Sequence, residues 1–351
     1  MNLIEGLYYI GYLIKKHQDL KHGKRLPCRV ISIGNITVGG TGKTPAAIAI
    51  AEEAIRRGLM PAILTRGYKG KIKSPCFVSK GDQPLLNEEE AGDEPILMAE
   101  RLKGVPIVKG ADRYKAGMFA LGSLPLALRT DIFILDDGFQ HWKLVRDKDI
   151  LLIDGTNPFG NRRLLPAGPL REPLHAIGRA DLIVITKSIV PPTSPSSSMG
   201  NSKGAGGRDH QLNSSLIEEI RRHNTKAPIF FAEHRPAKFI MLSGEIFPLE
   251  WAIDKRFLGF CGIGNPKSFK MTLRTAGLEL NGFKSYRDHY RYNAGDLRTI
   301  VEDAKKSNAD WIVTTEKDIM RLRRLSIPAN LVALAIEFEV DKGFYEEVFR
   351  I

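Results

Sequence analysis

The stretch Ile31-Ser-Ile-Gly-Asn-Ile-Thr-Val-Gly-Gly-Thr-Gly-Lys-Thr-Pro45 limits what this chain can fold into more than any other. The apolar run Val30–Ile33 leads into it and the Ala/Ile-rich run Ala46–Ile55 follows. That order predicts strand, glycine loop and helix, the context a phosphate-binding loop requires. Glycine lets backbone approach a phosphate and adopt positive φ, and the loop N–H groups and the positive end of the helix then meet the anion. Thr37, Val38, Gly39, Gly40, Thr41, Gly42, Lys43 and Thr44 are the expected nucleotide-contacting positions. Lys43 reaches the outer phosphates and the Thr44 hydroxyl ligates Mg²⁺. The usual pattern G-x-x-x-x-G-K-[ST] has glycine where Thr37 stands. Gly39–Thr44 is instead close to a deviant GGxGKT form, with Val38 in place of that form's extra lysine.

Charge says what kind of partner to expect. The 351 residues carry a formal +12, with an isoelectric point near 9.5, which favours an anionic partner: nucleic acid, a phosphorylated ligand or an acidic membrane surface. Cys28, Cys76 and Cys261 are too widely spaced for a metal pattern or a disulfide framework, which suits a reducing compartment. No apolar run is long enough to cross a bilayer. The N-terminus is apolar and aromatic through Ile14, and a basic run from Lys15 to Arg25 follows it. Such a helix suits an interfacial anchor on anionic lipid, and equally a helix packed on its own domain. Tyr8, Tyr9 and Tyr12 are open to both readings.

Along the chain, Pro61–Thr65, Pro106–Lys109, Asp131–Asp136, Ile150–Asp154 and Leu182–Thr186 read as strands, with helices at Ala91–Glu100 and Tyr114–Leu121. Residues 79–90 read as a loop. The strand from Asp131 ends in Asp136-Asp137, the form of a Walker-B element whose carboxylate holds Mg²⁺. The alternation predicts an α/β fold, a P-loop NTPase-like doubly wound core, with ligand beyond the carboxyl ends of its strands. Asn157–Pro173, rich in Pro, Gly and Arg, reads as a binding loop, and Pro191–Ser215 as a low-complexity tether. The expected divisions are a membrane-associating helix over 1–26, the core over 27–190, a linker over 191–225 and a second, smaller α/β domain over 226–351. In that last part Pro228–Ala232, Phe239–Leu242, Phe257–Cys261 and Asp310–Thr315 read as strands, with a helix over Lys267–Ala276.

Eight segments together resemble one family, the tetraacyldisaccharide 4′-kinases (lipid A 4′-kinases). They are GNITVGGTGKTP (34–45), LTRGYKG (64–70), GDEP (92–95), DDGFQH (136–141), LLPAGPLREP (164–173), CGIGNPKSF (261–269), RDHY (287–290) and TTEKD (314–318), in the family's order. The resemblance implies two α/β/α domains with a nucleotide cleft between them, the C-terminal one closing it. It implies transfer of the ATP γ-phosphoryl group to the 4′-hydroxyl of a tetraacyldisaccharide 1-phosphate lipid, at the cytoplasmic face of the bacterial inner membrane.

It also implies roles. Lys43 holds the β/γ-phosphates, and Thr44, Glu94 and Asp136 serve Mg²⁺, with Asp137 adding carboxylate charge nearby. Asp93 is the general base with His289 behind it, a partner that suits a carboxylate too weak to act alone at neutral pH. Arg66, Arg113 and Arg171 neutralise substrate or transferred phosphate, for which a guanidinium fork is suited. Lys317 and Asp318 either contact the nucleotide base or sugar, or simply begin a helix. Two other classes compete. A nucleotide-switch module of the metallochaperone kind shares GGxGKT, but needs the lysine that Val38 replaces. A basic nucleic-acid-binding protein would interleave aromatics with its basic runs, which this chain does not, so no nucleic acid is expected as a partner.

Overall fold

The protein is described from a computed structural model, covering residues 2–68, 70–124, 129–187 and 206–350, with side chains from 214 onward in the last of these. The N-terminal half runs α1 (Leu3–Lys21), β1 (Arg29–Gly34), α2 (Lys43–Arg56), β2 (Pro61–Thr65), β3 (Cys76–Lys80), α3 (Glu88–Ala91), α4 (Asp93–Arg101), β4 (Pro106–Lys109), α5 (Arg113–Ser123), β5 (Ile132–Asp136), β6 (Lys148–Asp154) and β7 (Leu182–Thr186). The C-terminal half runs α6 (Gly206–His223), β8 (Ile229–Ile240), β9 (Ile246–Pro248), β10 (Arg256–Cys261), α7 (Pro266–Thr275), β11 (Glu279–Ser285), α8 (Ala294–Lys306), β12 (Trp311–Thr315), α9 (Glu316–Arg321), β13 (Leu331–Val340) and α10 (Phe344–Phe349).

All these strands belong to one sheet, ordered β11-β10-β12-β13-β8-β7-β6-β1-β5-β2-β4-β3, with β9 paired to β8. The central strands are parallel, and their apolar runs are buried because helices cover both faces. Alanines 46, 47, 49, 51 and 54 of α2 are buried, and their small side chains let the helix lie close on the sheet. β1 lies between β5 and β6, so the chain changes direction across the sheet there. The C-terminal ends of β1 and β5 are adjacent, with Ile33 opposite Asp136. That is where an open α/β sheet binds ligand.

The sheet does not stop at the expected domain boundary. β7 pairs with β8 in parallel, and β8 pairs antiparallel with β13, so one strand joins the two halves edge to edge. Pro228–Ala232 and Phe239–Leu242, read as separate strands, overlap the two ends of this single long β8, which runs from Ile229 to Ile240. The ladder shifts register beside Pro236, which has no N–H to donate. Residues 79–90 are also not all loop: β3 runs to Lys80, and Asn87 caps α3 through a reciprocal bond with Glu90. Of the low-complexity stretch, 191–205 lies outside the described residues, and α6 has begun by Gly206.

α1 packs through one face. Glu5 accepts bonds from the Leu164 N–H at 2.9 Å and from Arg163 at 3.0 Å, and the Tyr8 hydroxyl donates to the Arg171 carbonyl at 2.9 Å. The Tyr12 hydroxyl donates to Glu172 at 3.1 Å. Glu172 is fully buried and also accepts from Gln140 and from both terminal nitrogens of Arg179 at 2.6–2.7 Å. The opposite face leaves Leu3, Ile4, Leu7, Ile10, Leu13 and Ile14 exposed. Among the described residues no helix is long and apolar enough to cross a membrane. Removing Glu172 strands the Arg179 charge and frees α1. Glu172→Ala should therefore cost about 3 kcal/mol in urea denaturation; a loss below about 0.5 kcal/mol, the size of a neutral surface change, would contradict this network.

Candidate active site

The site is built first from the loop between β1 and α2. Gly39 and Gly42 have φ of +122° and +87°, conformations costly for any side chain. At Gly42 a Cβ would also strike the His234 imidazole of β8. Gly42 caps α2 without a side-chain hydrogen bond, leaving the helix's first N–H groups facing the cleft. The loop is braced from outside: the Val38 N–H donates to the Pro169 carbonyl at 2.8 Å, and the Arg171 N–H to the Ile36 carbonyl at 2.7 Å. From the end of β7, the Thr186 hydroxyl donates to the Thr41 carbonyl at 3.0 Å and Lys187 Nζ to the Gly40 carbonyl at 2.6 Å. The stretch 157–173 thus shapes the phosphate loop as well as bordering the cleft.

Two aspartates stand at the end of β5. Asp136 is buried and accepts from the Thr65 hydroxyl at 3.1 Å through Oδ2, while its Oδ1 has no partner. Burial, with Glu94 and Asp137 close by, pushes its pKa up to about 7. Asp137, in the left-handed region at φ 49°, lies 3.6 Å from Lys43 Nζ and 3.0 Å from the Arg171 guanidinium. Burial would raise its pKa, but those two cations outweigh it and hold the carboxyl below the usual range.

Facing them across the cleft is the start of α4, met by α9 from the other half. Asp93 Oδ2 lies 3.1 Å from His289 Nδ1 and 3.0 Å from Arg321 Nε, with an Arg321 terminal nitrogen closer still. Burial works against ionisation of Asp93, but the His289 hydrogen bond and the Arg321 charge prevail and hold it far below the carboxylate range. Arg321 is anchored in turn by Asp318 at 2.8 Å and the Gly262 carbonyl at 2.7 Å. That same carbonyl accepts the His289 N–H at 3.0 Å, fixing His289 in its left-handed conformation at φ 56°. Glu94 is bonded by Lys317, whose charge lowers its pKa.

All this borders one cleft of about 1770 Å³, which runs from Lys43, Glu94 and Asp136 past His289 and Lys317 to Leu7, Tyr12 and Trp142. No cluster of three or more His, Cys, Asp or Glu side chains suited to a metal occurs among the described residues. Magnesium in phosphoryl transfer uses one or two carboxylates plus phosphate oxygens and water, so that donor set is not required. Asp136 Oδ1, buried and unpaired, fits such an ion together with the Thr44 hydroxyl and Glu94.

The sequence profile of the family described as Tetraacyldisaccharide-1-P 4′-kinase (LpxK) matches residues 4–350. A relative from Syntrophus aciditrophicus named Tetraacyldisaccharide 4′-kinase is 39% identical over 353 residues, covering 98% of this chain and 90% of its own length. One of the same name from Desulfotalea psychrophila is 36% identical over 350 residues, covering 99% and 94%. This chain belongs to the tetraacyldisaccharide 4′-kinase family. The "apo" form LpxK from Aquifex aeolicus, solved in complex with ATP, superposes with a TM-score of 0.73 at 31% identity over 99% of this chain and 96% of its own. The nucleotide-switch alternative is not favoured by this kinship.

Of the positions singled out in the sequence, Val38, Gly39, Gly40, Gly42, Lys43 and Thr44 line the cleft. Thr37 instead pairs with Leu170, and Thr41 turns its side chain inward, buried. Arg66 and Arg171 border the cleft, whereas Arg113 is 4% exposed and donates to the Ala111 carbonyl at 2.9 Å. A direct Arg113 contact with substrate phosphate is therefore not what the geometry offers, because that side chain begins α5 behind the aspartates. The expected order of Asp93 and His289 is also reversed: the imidazole lines the cleft, and Asp93, 8% exposed, stands behind it. Lys317 and Asp318 do begin a helix, and Lys317 faces the cleft as well. Arg321 was not evident from the sequence, although its spacing of three from Asp318 puts both on one helix face.

An acid whose folded pKa lies above its unfolded value adds stability at low pH that is lost as pH rises through the folded value. For Asp136 that window runs from about pH 4 to about pH 7. Asp136→Asn should flatten this decline and raise the melting temperature of the nucleotide-free protein at alkaline pH. Denaturation series across pH read it directly, and a less stable Asn variant at alkaline pH would refute the assignment.

Proposed function

We propose that this chain transfers the γ-phosphoryl group of ATP to the 4′-hydroxyl of a tetraacyldisaccharide 1-phosphate at the cytoplasmic face of the bacterial inner membrane. The observation that carries the reading is the convergence on one cleft of a phosphate loop from one half and an acid–imidazole pair joined by the other. Lys43 and the N–H groups of the loop and α2 bind the β/γ-phosphates. Thr44, Asp136 and Glu94 would hold Mg²⁺, which would neutralise charge on the triphosphate. Asp137 keeps Lys43 and Arg171 aligned, and Arg66 and Arg171 meet substrate phosphate. Arg113 acts through its charge on the two aspartates.

Proton removal follows from the geometry of the pair. A carboxylate held far below its normal pKa is a poor base, but a good partner for an imidazolium. With its Nδ1–H donating to Asp93, His289 presents Nε2 to the cleft and takes the hydroxyl proton there. Residues 27–190 and 226–351 act as two lobes closing over the nucleotide, with β8 as their shared strand. The exposed apolar face of α1, followed by basic residues, rests on the anionic membrane surface and brings the acceptor's sugar to the cleft.

Transfer of ³²P from ATP to purified tetraacyldisaccharide 1-phosphate, abolished in Lys43→Ala, tests the reading; wild-type protein that transfers nothing would defeat it. Asp93→Ala and His289→Ala should each lower kcat by about 10²–10⁴-fold while ATP affinity changes little. Loss of ATP binding in step with kcat would instead assign both to the nucleotide site. Replacing Leu3, Ile4, Leu7 and Ile10 by glutamine should reduce activity on lipid in vesicles far more than on detergent-dispersed lipid, and equal losses would remove the membrane role.

A further inference from the structure

A phosphoryl group in transit spreads negative charge over three oxygens, and rate depends on fixed positive charge placed against them. Lys43 lies on the phosphate-loop side. Arg66 and Arg171 border the cleft, Arg171 held by Asp137; Arg321 is held by Asp93, Asp318 and the Gly262 carbonyl, and Arg113 is buried behind the aspartates. Lys317 is paired as well, but its charge sits on a flexible unbranched stem. It stands on the first turn of α9, directly beyond the end of β12, and its ammonium reaches across the cleft onto the Glu94 carboxylate. Glu94 feels the charge of both Lys317 and Lys43, and in turn acts on Asp136. The two lysines therefore flank one carboxylate from opposite halves of the chain, at the end of the cleft where the outer phosphates fall.

We propose that Lys317 is a catalytic residue: its ammonium leaves Glu94 as the triphosphate enters and moves onto the γ-phosphoryl oxygens during transfer. The inference rests on the kinase reading above. In the step, a bond forms between the acceptor hydroxyl oxygen and the γ-phosphorus as the bond from that phosphorus to the bridging oxygen breaks. The electron pair departs on ADP, the hydroxyl proton passes to His289, and Lys317 stays protonated throughout. Until nucleotide arrives, Lys317 covers the charge of the half-buried Glu94 carboxylate. A lysine suits this exchange better than an arginine, because its flexible stem carries a compact charge from one anion to the next.

The test uses the full chain with Lys317→Gln, which keeps a hydrogen bond to Glu94 but no charge, and Lys317→Arg, which keeps the charge. Melting temperature, ATP Kd by equilibrium binding, and kcat and KM for ATP are measured on each. Lys317→Gln should lose about 100-fold or more in kcat while its ATP Kd stays near wild type and it remains folded, and Lys317→Arg should recover much of that loss. A Gln variant within roughly threefold of wild-type kcat, or one whose ATP Kd rises by the same factor that kcat/KM falls, would overturn the proposal. If the Gln variant fails to fold, the Arg variant decides, since an inactive but folded Arg variant with normal ATP affinity also contradicts a role carried by charge alone. Wild-type protein without transfer in the same assay would mean that the kinase reading fails; an active wild type beside an active Gln variant would mean that this inference alone fails.

Discussion

The contact on which the site depends is the ion pair between Asp93 of α4 and Arg321 of α9. It belongs to a line of pairs that joins the two halves along these helices: Glu94 with Lys317, Arg101 with Glu316 at 2.7–2.8 Å, and Glu100 with Arg323 at 2.5 Å. Most are partly or wholly buried, so any one broken alone leaves an uncompensated charge. This is a poor way to gain stability and a good way to fix orientation. It sets the start of α4 over the phosphate loop, and holds His289 between Asp93 and the Gly262 carbonyl. A stretch of apolar contacts would tolerate sliding that these bonds forbid.

The same principle governs the other side of the cleft. The phosphate loop must leave its N–H groups unpaired toward the ligand, so its carbonyl and outer edges are bound from behind by Thr186, Lys187 and the segment around Pro169. That segment also anchors α1 through Arg171 and Glu172. The apolar N-terminal helix, the loop that cradles phosphate and the aspartates of β5 are thereby one mechanically connected body. The exposed apolar face of α1 and the phosphate loop are brought within one cleft's length by a single buried glutamate and its four donors.

Much of this was legible in the sequence, for reasons that can be named. The parallel strands are short apolar runs buried on both faces, and the glycine loop has a fixed chemical grammar, so β1, α2, β5 and the positions of Lys43 and Asp136 at the cleft could be placed from residue order. What could not be placed depends on pairing across long separations. β3 is a short edge strand, and β11, with Gly282 inside it, has no clean alternation. The continuity of the sheet through β8 turns on β13, more than ninety residues away in sequence. The order of Asp93 and His289 in the cleft was also illegible, because it is set by Arg321, a residue that looks like any surface arginine until α9 is laid against α4.

The account stands or falls on Asp93 and Arg321 acting as one unit. Steady-state phosphoryl transfer by Asp93→Asn, Arg321→Met and the double variant measures that coupling directly. If the contact exists to hold the imidazole in place, the double variant is no slower than the slower single, because the second substitution removes a contact already lost. Losses that simply multiply in the double variant would mean the two residues act independently, and the site as described would not be the one that catalyses.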